Sequence, residues 1–211
     1  MVGLLIERVT GKALDWYVAN NVFAPLGMKQ TMYRPPKALY YRVAPTGIWR
    51  GHPSRGVVND QNAVRLRGAA GHAGVFSTGS DLARYAQMWM NDGALPTGRF
   101  VSPSIIRQFL TPGPTSGTRL LGWDSPDTAA PPPSVFGTLL TRSAYGHTGW
   151  TGTEVWIDPE RDLFVVFLTN RSYDPQVGHS IRELRAVRAR LADAAVRAVP
   201  TACQAVATAA C

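Results

Sequence analysis

Lysine is scarce in this chain. It has 22 basic residues, but Lys12, Lys29 and Lys37 are the only lysines, and the rest are arginine. Any chemistry that needs a lysine amine therefore has few places to look. Cysteine is scarcer: Cys203 and Cys211 both fall in the terminal stretch "PTACQAVATAAC". Two cysteines so placed make neither a disulfide framework nor a metal-ligand pattern, and they leave the redox compartment open. The histidines His52, His72, His147 and His179 show no H-E-x-x-H spacing, so no metal or other cofactor is expected. No apolar run approaches the length of a membrane-crossing helix. "MVGLLIERVTG" lacks the basic start and long apolar stretch of a secretory signal. No long repeat is visible; "GHAG" and "GHTG" echo each other only locally.

What is present fits an ordinary globular chain of 211 residues, 45% hydrophobic and 17% charged, long enough to bury a core. The net charge is +8. The arginines are scattered, apart from Arg182, Arg185, Arg188 and Arg190, which follow a helical pattern and read as a solvated face. A nucleic-acid partner, which calls for a basic stripe with interleaved aromatics, is not expected.

Val2, Leu5, Ile6 and Val9 fall at helical spacing, with Gly11 as the stop. A second helix, from Leu14 to Val22, ends before Pro25. Residues 33–75 lack periodicity and read as a long loop. Thr78 or Ser80 caps the next helix, Asp81 favours its N-terminal dipole, and Gly93 ends it. Ser102 and Pro103 open a short helix that Pro112 closes. "RLLGWD" reads as a short strand and residues 125–137 as a proline-rich loop. "TEVWID" and "LFVVFLTN" are two strands joined by "DPERD", the second read as buried on both faces. A last helix spans about 178–199, with Ile181, Leu184, Val187 and Leu191 on one side. Trp16, Trp89 and Trp156 read as core; Trp49, Trp123 and Trp150 are candidates to line a cleft. The order is that of an α+β fold. Residues 1–115 form the helical and loop region, 116–199 the antiparallel sheet with its C-terminal helix, and 200–211 a tail.

The chemistry concentrates in "YGHTGWTGT", residues 145–153. Gly146, Gly149 and Gly152 leave a strand edge bare. Thr148, Thr151 and Thr153 offer hydroxyls, and His147 a group that exchanges protons near neutral pH. An extended substrate could add to such an edge, and a backbone N–H on it could hold an oxyanion. A plain surface strand with a satisfied histidine is the alternative. Asn59, Asp60 and Asn62, in "VVNDQNA", read as loop caps without an assigned role.

"YGHTGWTGTEVWIDPERDLFVVFLTNR" resembles the last signature of the serine β-lactamase-related family: class C-type β-lactamases, D-alanyl-D-alanine carboxypeptidases and esterases. "GLLIERVTGKALDWYVANNVFAPLGMKQT", "GHAGVFSTGSDLARYAQMWMNDG" and "LGWD" resemble other segments of that family in the same order. The resemblance implies a partial β-lactamase/transpeptidase-like fold and a small-molecule or peptide acyl substrate. It implies a role for His147 in proton movement, for Thr148 in binding the substrate, for Gly149 in letting the acyl group approach, and for the Trp150 N–H as half of an oxyanion hole. For the full-length protein it implies a periplasmic or secreted location, which this chain by itself does not specify.

Two motifs of that family are not in these residues. Its nucleophile lies in Ser-x-x-Lys, where the amine activates the hydroxyl. Three residues before Lys12, Lys29 and Lys37 stand Val9, Leu26 and Arg34. The Tyr-x-Asn or Ser-x-Asn motif is not seen either. The expectation is that the N-terminal part of the family domain is absent, and that the chain is a fragment of a serine acyl hydrolase, inactive alone. The alternative is a non-catalytic binding module or relic that keeps only the docking strand. Without the missing part the sheet is expected to keep an open edge and the helices an uncovered apolar face.

Overall fold

The computed structural model describes residues 1–126, 134–173 and 180–199. The two cysteines, the tail, His179 and most of the proline-rich loop lie outside the described residues, as does the side chain of Trp49. The chain divides into two compact units. One comprises Met1–Met88, Gly149–Thr153 and Leu168–Gly178; the other comprises Trp89–Thr148, Glu154–Phe167 and His179–Cys211.

The first unit opens with α1 (Val2–Thr10), closed by Gly11 in the left-handed conformation at φ 66°, where a side chain would be strained. Most of its apolar residues are uncovered: Val2, Leu5 and Val9 are 67%, 62% and 75% exposed, while Ile6 is half buried. Gly3 is the buried residue of this helix; a Cβ there would lie 2.8 Å from Leu14. Helix α2 (Leu14–Val18) runs on into a π-helical turn, Ala19–Phe23. Trp16 is half exposed at 50%, with the Lys12 ammonium 5.3 Å from its ring, so its assignment to the core was wrong. Its position is apolar in pattern but faces solvent.

The stretch read as a long loop is subdivided. A two-residue ladder pairs β1 (Met32–Tyr33) with β4 (Val75–Phe76) and closes its base. Between them lie a 3-10 turn at Lys37–Arg42, a hairpin of β2 (Gly47–Trp49) and β3 (His52–Ser54), and the short helix α3 (Gln61–Arg65) capped by Asp60. Each is too short to leave a periodic signature. Helix α4 (Gly79–Met90) starts with the Thr78 hydroxyl accepting from Asp81 N at 3.3 Å. Asp81 does more than face the dipole. It is 4% exposed and accepts from Thr31 Oγ1 at 2.8 Å and Gln30 N at 2.7 Å.

The second unit carries the sheet. A small hairpin of β5 (Ala94–Leu95) and β6 (Gly98–Arg99) precedes α5 (Pro103–Leu110), capped by Ser102 as the sequence indicates. "RLLGWD" is not a strand. Leu120 N donates to Trp123 O at 2.9 Å around Gly122, whose φ is 79°, so the segment turns back on itself and pairs through isolated bridges, Arg119↔Asp124 and Asp124↔Gly146, rather than as a strand. The main sheet is antiparallel, β7 (Tyr145–Thr148), β8 (Glu154–Asp158) and β9 (Leu163–Phe167), in that spatial order. Helix α6 (Ile181–Ala198) begins with a full capping box between Ser180 and Glu183 and contacts β9.

Burial reverses one reading. Every residue of β9 is half buried, because β9 is an outer strand. The central strand β8 is the buried one. Its residues 154, 156 and 158 alternate onto one face, and Glu154, Trp156 and Asp158 are 2%, 1% and 0% exposed. Trp156 stacks on Phe136 at 4.3 Å and joins Ala192 of α6, with Val165 and Leu140 at the margin. On the other side Trp89, Trp123, Tyr145 and Phe109 form edge-on and tilted ring contacts at 5.2–6.1 Å. Trp89 and Trp156 are therefore core, as read. Trp123 is 7% exposed and belongs to the core, not to a cleft wall. The α+β class stands.

Candidate functional site

Strand β7 is an edge of the sheet, and its register decides which groups face outward. It pairs with β8 as Tyr145↔Ile157, Gly146↔Trp156, His147↔Val155 and Thr148↔Glu154. In an antiparallel pair, successive residues turn their N–H and C=O alternately toward and away from the partner. Gly146 turns away: its N–H donates to Asp124 O at 2.9 Å, and its C=O accepts from Asp124 N at 2.7 Å. Two residues on, Thr148 also turns away. Among the described residues nothing pairs with its outward N–H or C=O. The protein thus caps the edge at Gly146 and leaves it open at Thr148.

Side chains follow the same alternation. His147 shares a face with Tyr145 and is exposed. Thr148 shares the other face with Glu154, directly opposite on β8, and with Trp156. Neither the His147 ring nor the Thr148 hydroxyl has a hydrogen-bond partner among the described residues. Both are available to an incoming molecule.

Beyond the strand, residues 149–153 form a tight turn. Gly149 N donates to Thr153 O at 2.7 Å and Gly152 N donates to Gly149 O at 3.2 Å. No acceptor meets the Trp150 N–H among the described residues. The Trp150 ring is 67% exposed, and the Arg171 guanidinium lies 4.5 Å from its centre, with Arg171 Nη1 donating to Trp150 O at 3.3 Å. This is a cation–π stack at the tip of the turn. Arg171 N donates to Thr151 O at 2.7 Å, and Thr169 Oγ1 to Gly152 O at 2.8 Å. Arg171 was missed in the sequence, where it only closes the signature that ends "FLTNR".

The glycines serve the fold more than a bare edge. A Cβ on Gly146 would fall 1.7 Å from the Trp156 ring, so Gly146 makes room for the core tryptophan. A Cβ on Gly149 would meet Thr153 Oγ1 at 2.3 Å, and Gly152 has φ 123° with Thr169 Oγ1 2.5 Å from its missing Cβ. The space that each one leaves is already filled by the protein.

Elsewhere, Asp60 Oδ1 accepts from Ala63 N at 2.7 Å and meets His72 Nε2 at 3.1 Å. These contacts hold its carboxyl below the usual range. Asp60 is thus the loop cap that the sequence implied. Asn59 Nδ2 donates to Thr46 O at 2.6 Å in the same region. Among the described residues, no helix is long and apolar enough to cross a membrane.

The comparisons agree with the signature carried by β7–β9. The β-lactamase family model matches residues 1–190. A candidate D-alanyl-D-alanine carboxypeptidase of Escherichia coli O157:H7 is 33% identical over 192 residues, which cover 83% of this chain and 44% of the relative. The chain thus spans less than half the length of that relative. Among solved structures, a β-lactamase from Mycobacterium bovis superposes with a TM-score of 0.62 at 20% identity, over 93% of this chain and 60% of that one. A family VIII carboxylesterase gives a TM-score of 0.62 at 21% identity, over 92% and 55%. At those identities the likeness speaks for the fold. With the family model matched along most of its length, the chain belongs to the serine β-lactamase-related family of acyl hydrolases.

Proposed function

We propose that His147, Thr148, Gly149 and Trp150 supply the substrate-docking edge of a serine acyl hydrolase. The substrate is an acyl compound: a β-lactam, a D-alanyl peptide or an ester. The observation that carries this reading is the open backbone of Thr148, two residues beyond the point where Asp124 caps the same edge. An extended acyl chain adds there as a short strand. The Thr148 hydroxyl binds a polar or carboxylate group of the substrate, and the Trp150 N–H donates to the developing oxyanion. His147 assists proton movement. The nucleophile is not in a Ser-x-x-Lys motif of these 211 residues, so the chain supplies the docking part of the site and not the attacking group.

Titration of the chain with N-acetyl-D-alanyl-D-alanine, benzylpenicillin and a short-chain ester, followed by backbone amide NMR, tests this. Saturable shifts centred on Thr148 and Trp150, without turnover, are expected. No shift with any of the three would refute the docking edge. A covalent adduct on the 211-residue chain would instead show that it carries its own nucleophile. The second reading, a binding module that never hydrolyses, rests on the missing motif. It predicts the same shifts, and no hydrolysis by the gene product isolated from its own cell.

A further inference from the structure

The sheet buries one ion pair that the docking chemistry does not use. Glu154 opens β8 and Arg188 lies mid-way along α6; they are 2% and 1% exposed, with Arg188 Nε 2.9 Å from Glu154 Oε2. The sequence reading placed Arg188 on a solvated face, and the structure overturns this. Leu184, Arg188 and Ala192 follow one another at four-residue spacing, so Arg188 sits on the stripe that meets the sheet. Beside Arg188, the Trp156 indole N–H also favours the charged carboxylate, but among the described residues neither Glu154 oxygen receives a well-aligned hydrogen bond. Burial pushes its carboxyl up from 4.5 to about 7, although the Arg188 charge pulls the other way. Buried ion pairs often stabilise no better than apolar side chains of similar volume. Stability alone is a weak reason for this one.

Its location suggests a different reason. Glu154 stands directly across from Thr148 and on the same face. The outward turn of Thr148 makes this a pair without mutual backbone hydrogen bonds, in which the facing side chains come closest. The backbone bonds at this end of β7 flank the pair, at His147–Val155 and from Gly149 N to Thr153 O at 2.7 Å, and between Thr148 and Glu154 themselves only the side chains meet. We propose that Glu154 and Arg188 are positioning residues for the docking edge: their pair locks the start of β8 onto α6 and thereby sets the backbone and hydroxyl of Thr148. The inference rests on the docking role proposed above. The elements around Glu154 present Thr148 from β7, Phe167 from β9 and Arg188 from α6. Arg188 is the charged group among them.

Two readouts on the 211-residue chain test it: amide exchange at Thr148, and affinity for N-acetyl-D-alanyl-D-alanine. Glu154→Gln is compared with the double variant Glu154→Gln/Arg188→Met, which restores an uncharged interior. The expected result is at least tenfold faster exchange at Thr148 in both variants, and at least tenfold weaker binding, even where the double variant regains the wild-type melting temperature. The pH step in Thr148 exchange near neutrality should persist in His147→Gln and vanish in Glu154→Gln. If the double variant recovers exchange, affinity and stability together, the pair is structural only and the proposal falls. It falls equally if Thr148 is unaffected in either variant. If the wild-type chain does not bind the dipeptide, the docking reading fails. The exchange data then still decide whether the pair sets Thr148.

Discussion

The two ends of β8 each bury a carboxylate on the same face, but they hold it by different means. At one end, Asp158 accepts from Thr141 N at 2.9 Å and Thr141 Oγ1 at 2.6 Å, with Arg161 Nε at 3.5 Å. At the other, Glu154 has Arg188 Nε at 2.9 Å and the Trp156 indole, but neither is a well-aligned bond. The Asp158 end ties a loop to the sheet with short, directed bonds. The Glu154 end lies beside the open edge and rests mainly on the Arg188 charge, with help from the Trp156 indole. The sheet is rigidly pinned where it meets its own loop, and it is held by a titratable contact where a substrate is proposed to add.

The largest expected effect is at the Glu154 end. Arg188→Ala leaves a buried carboxylate without its counter-charge and should cost about 3–5 kcal/mol at pH 8. Near pH 5 the cost should be smaller, since Glu154 is then protonated. Urea unfolding at the two pH values measures this, and equal losses would contradict it. At the other end, Asp158→Ala orphans the Thr141 N–H and hydroxyl. The expected cost is about 1–3 kcal/mol, read by the same urea unfolding at pH 8. A loss as large as that of Arg188→Ala would erase the contrast between the two ends.

The same contrast appears in the pH dependence of the wild-type chain. Glu154 titrates higher folded than unfolded, so the folded state holds the extra proton. Its contribution to stability is fully present below about pH 4.5 and is lost as the pH rises through about 7. Glu154→Gln should remove that slope. If the melting temperature of the variant falls between pH 5 and pH 7.5 as steeply as that of the wild type, another group is responsible.

Much of this was legible in the sequence, for physical reasons. Gly11, Ser102 and Thr78 announced helix ends because caps need particular side chains or positive φ. The β8 and β9 runs announced strands because both are long and β-branched. The sheet order was less legible. β9 reads as buried because it is continuously apolar, yet one of its sides pairs with nothing in the sheet. "RLLGWD" has strand composition, but the turn at Gly122 intervenes. The ion pair was hidden because Arg188 sits among other arginines. Its spacing from Leu184 and Ala192, and the alternation of Glu154 with Trp156 and Asp158, were the signals that could have found it. In the docking edge, the residue types were legible and the register was not. Which of His147 and Thr148 faces outward along the backbone depends on the Asp124 bridge, and Asp124 lies far from β7 in sequence.

The smallest effect is expected at a third carboxylate, Asp193, further along α6. It accepts from Thr138 N at 2.7 Å, Leu139 N at 2.9 Å and Thr138 Oγ1 at 3.0 Å. Burial works against its ionisation, but these donors outweigh it and hold the carboxyl below its ordinary value. The sign is opposite to that of Glu154. Stability from Asp193 is present above about pH 4, where the carboxylate is charged in both states, and is lost as the pH falls through its lowered value. Asp193→Asn keeps one acceptor oxygen, so the loss should be about 1 kcal/mol at pH 7 and nearly nothing near pH 2. Combined with Glu154→Gln, it should act additively, because each carboxylate has its own partners. A coupling well beyond experimental error would mean that α6 transmits strain between the two sites. The Glu154 end would then not be an independent contact beside the docking edge, but one part of a helix-wide clamp.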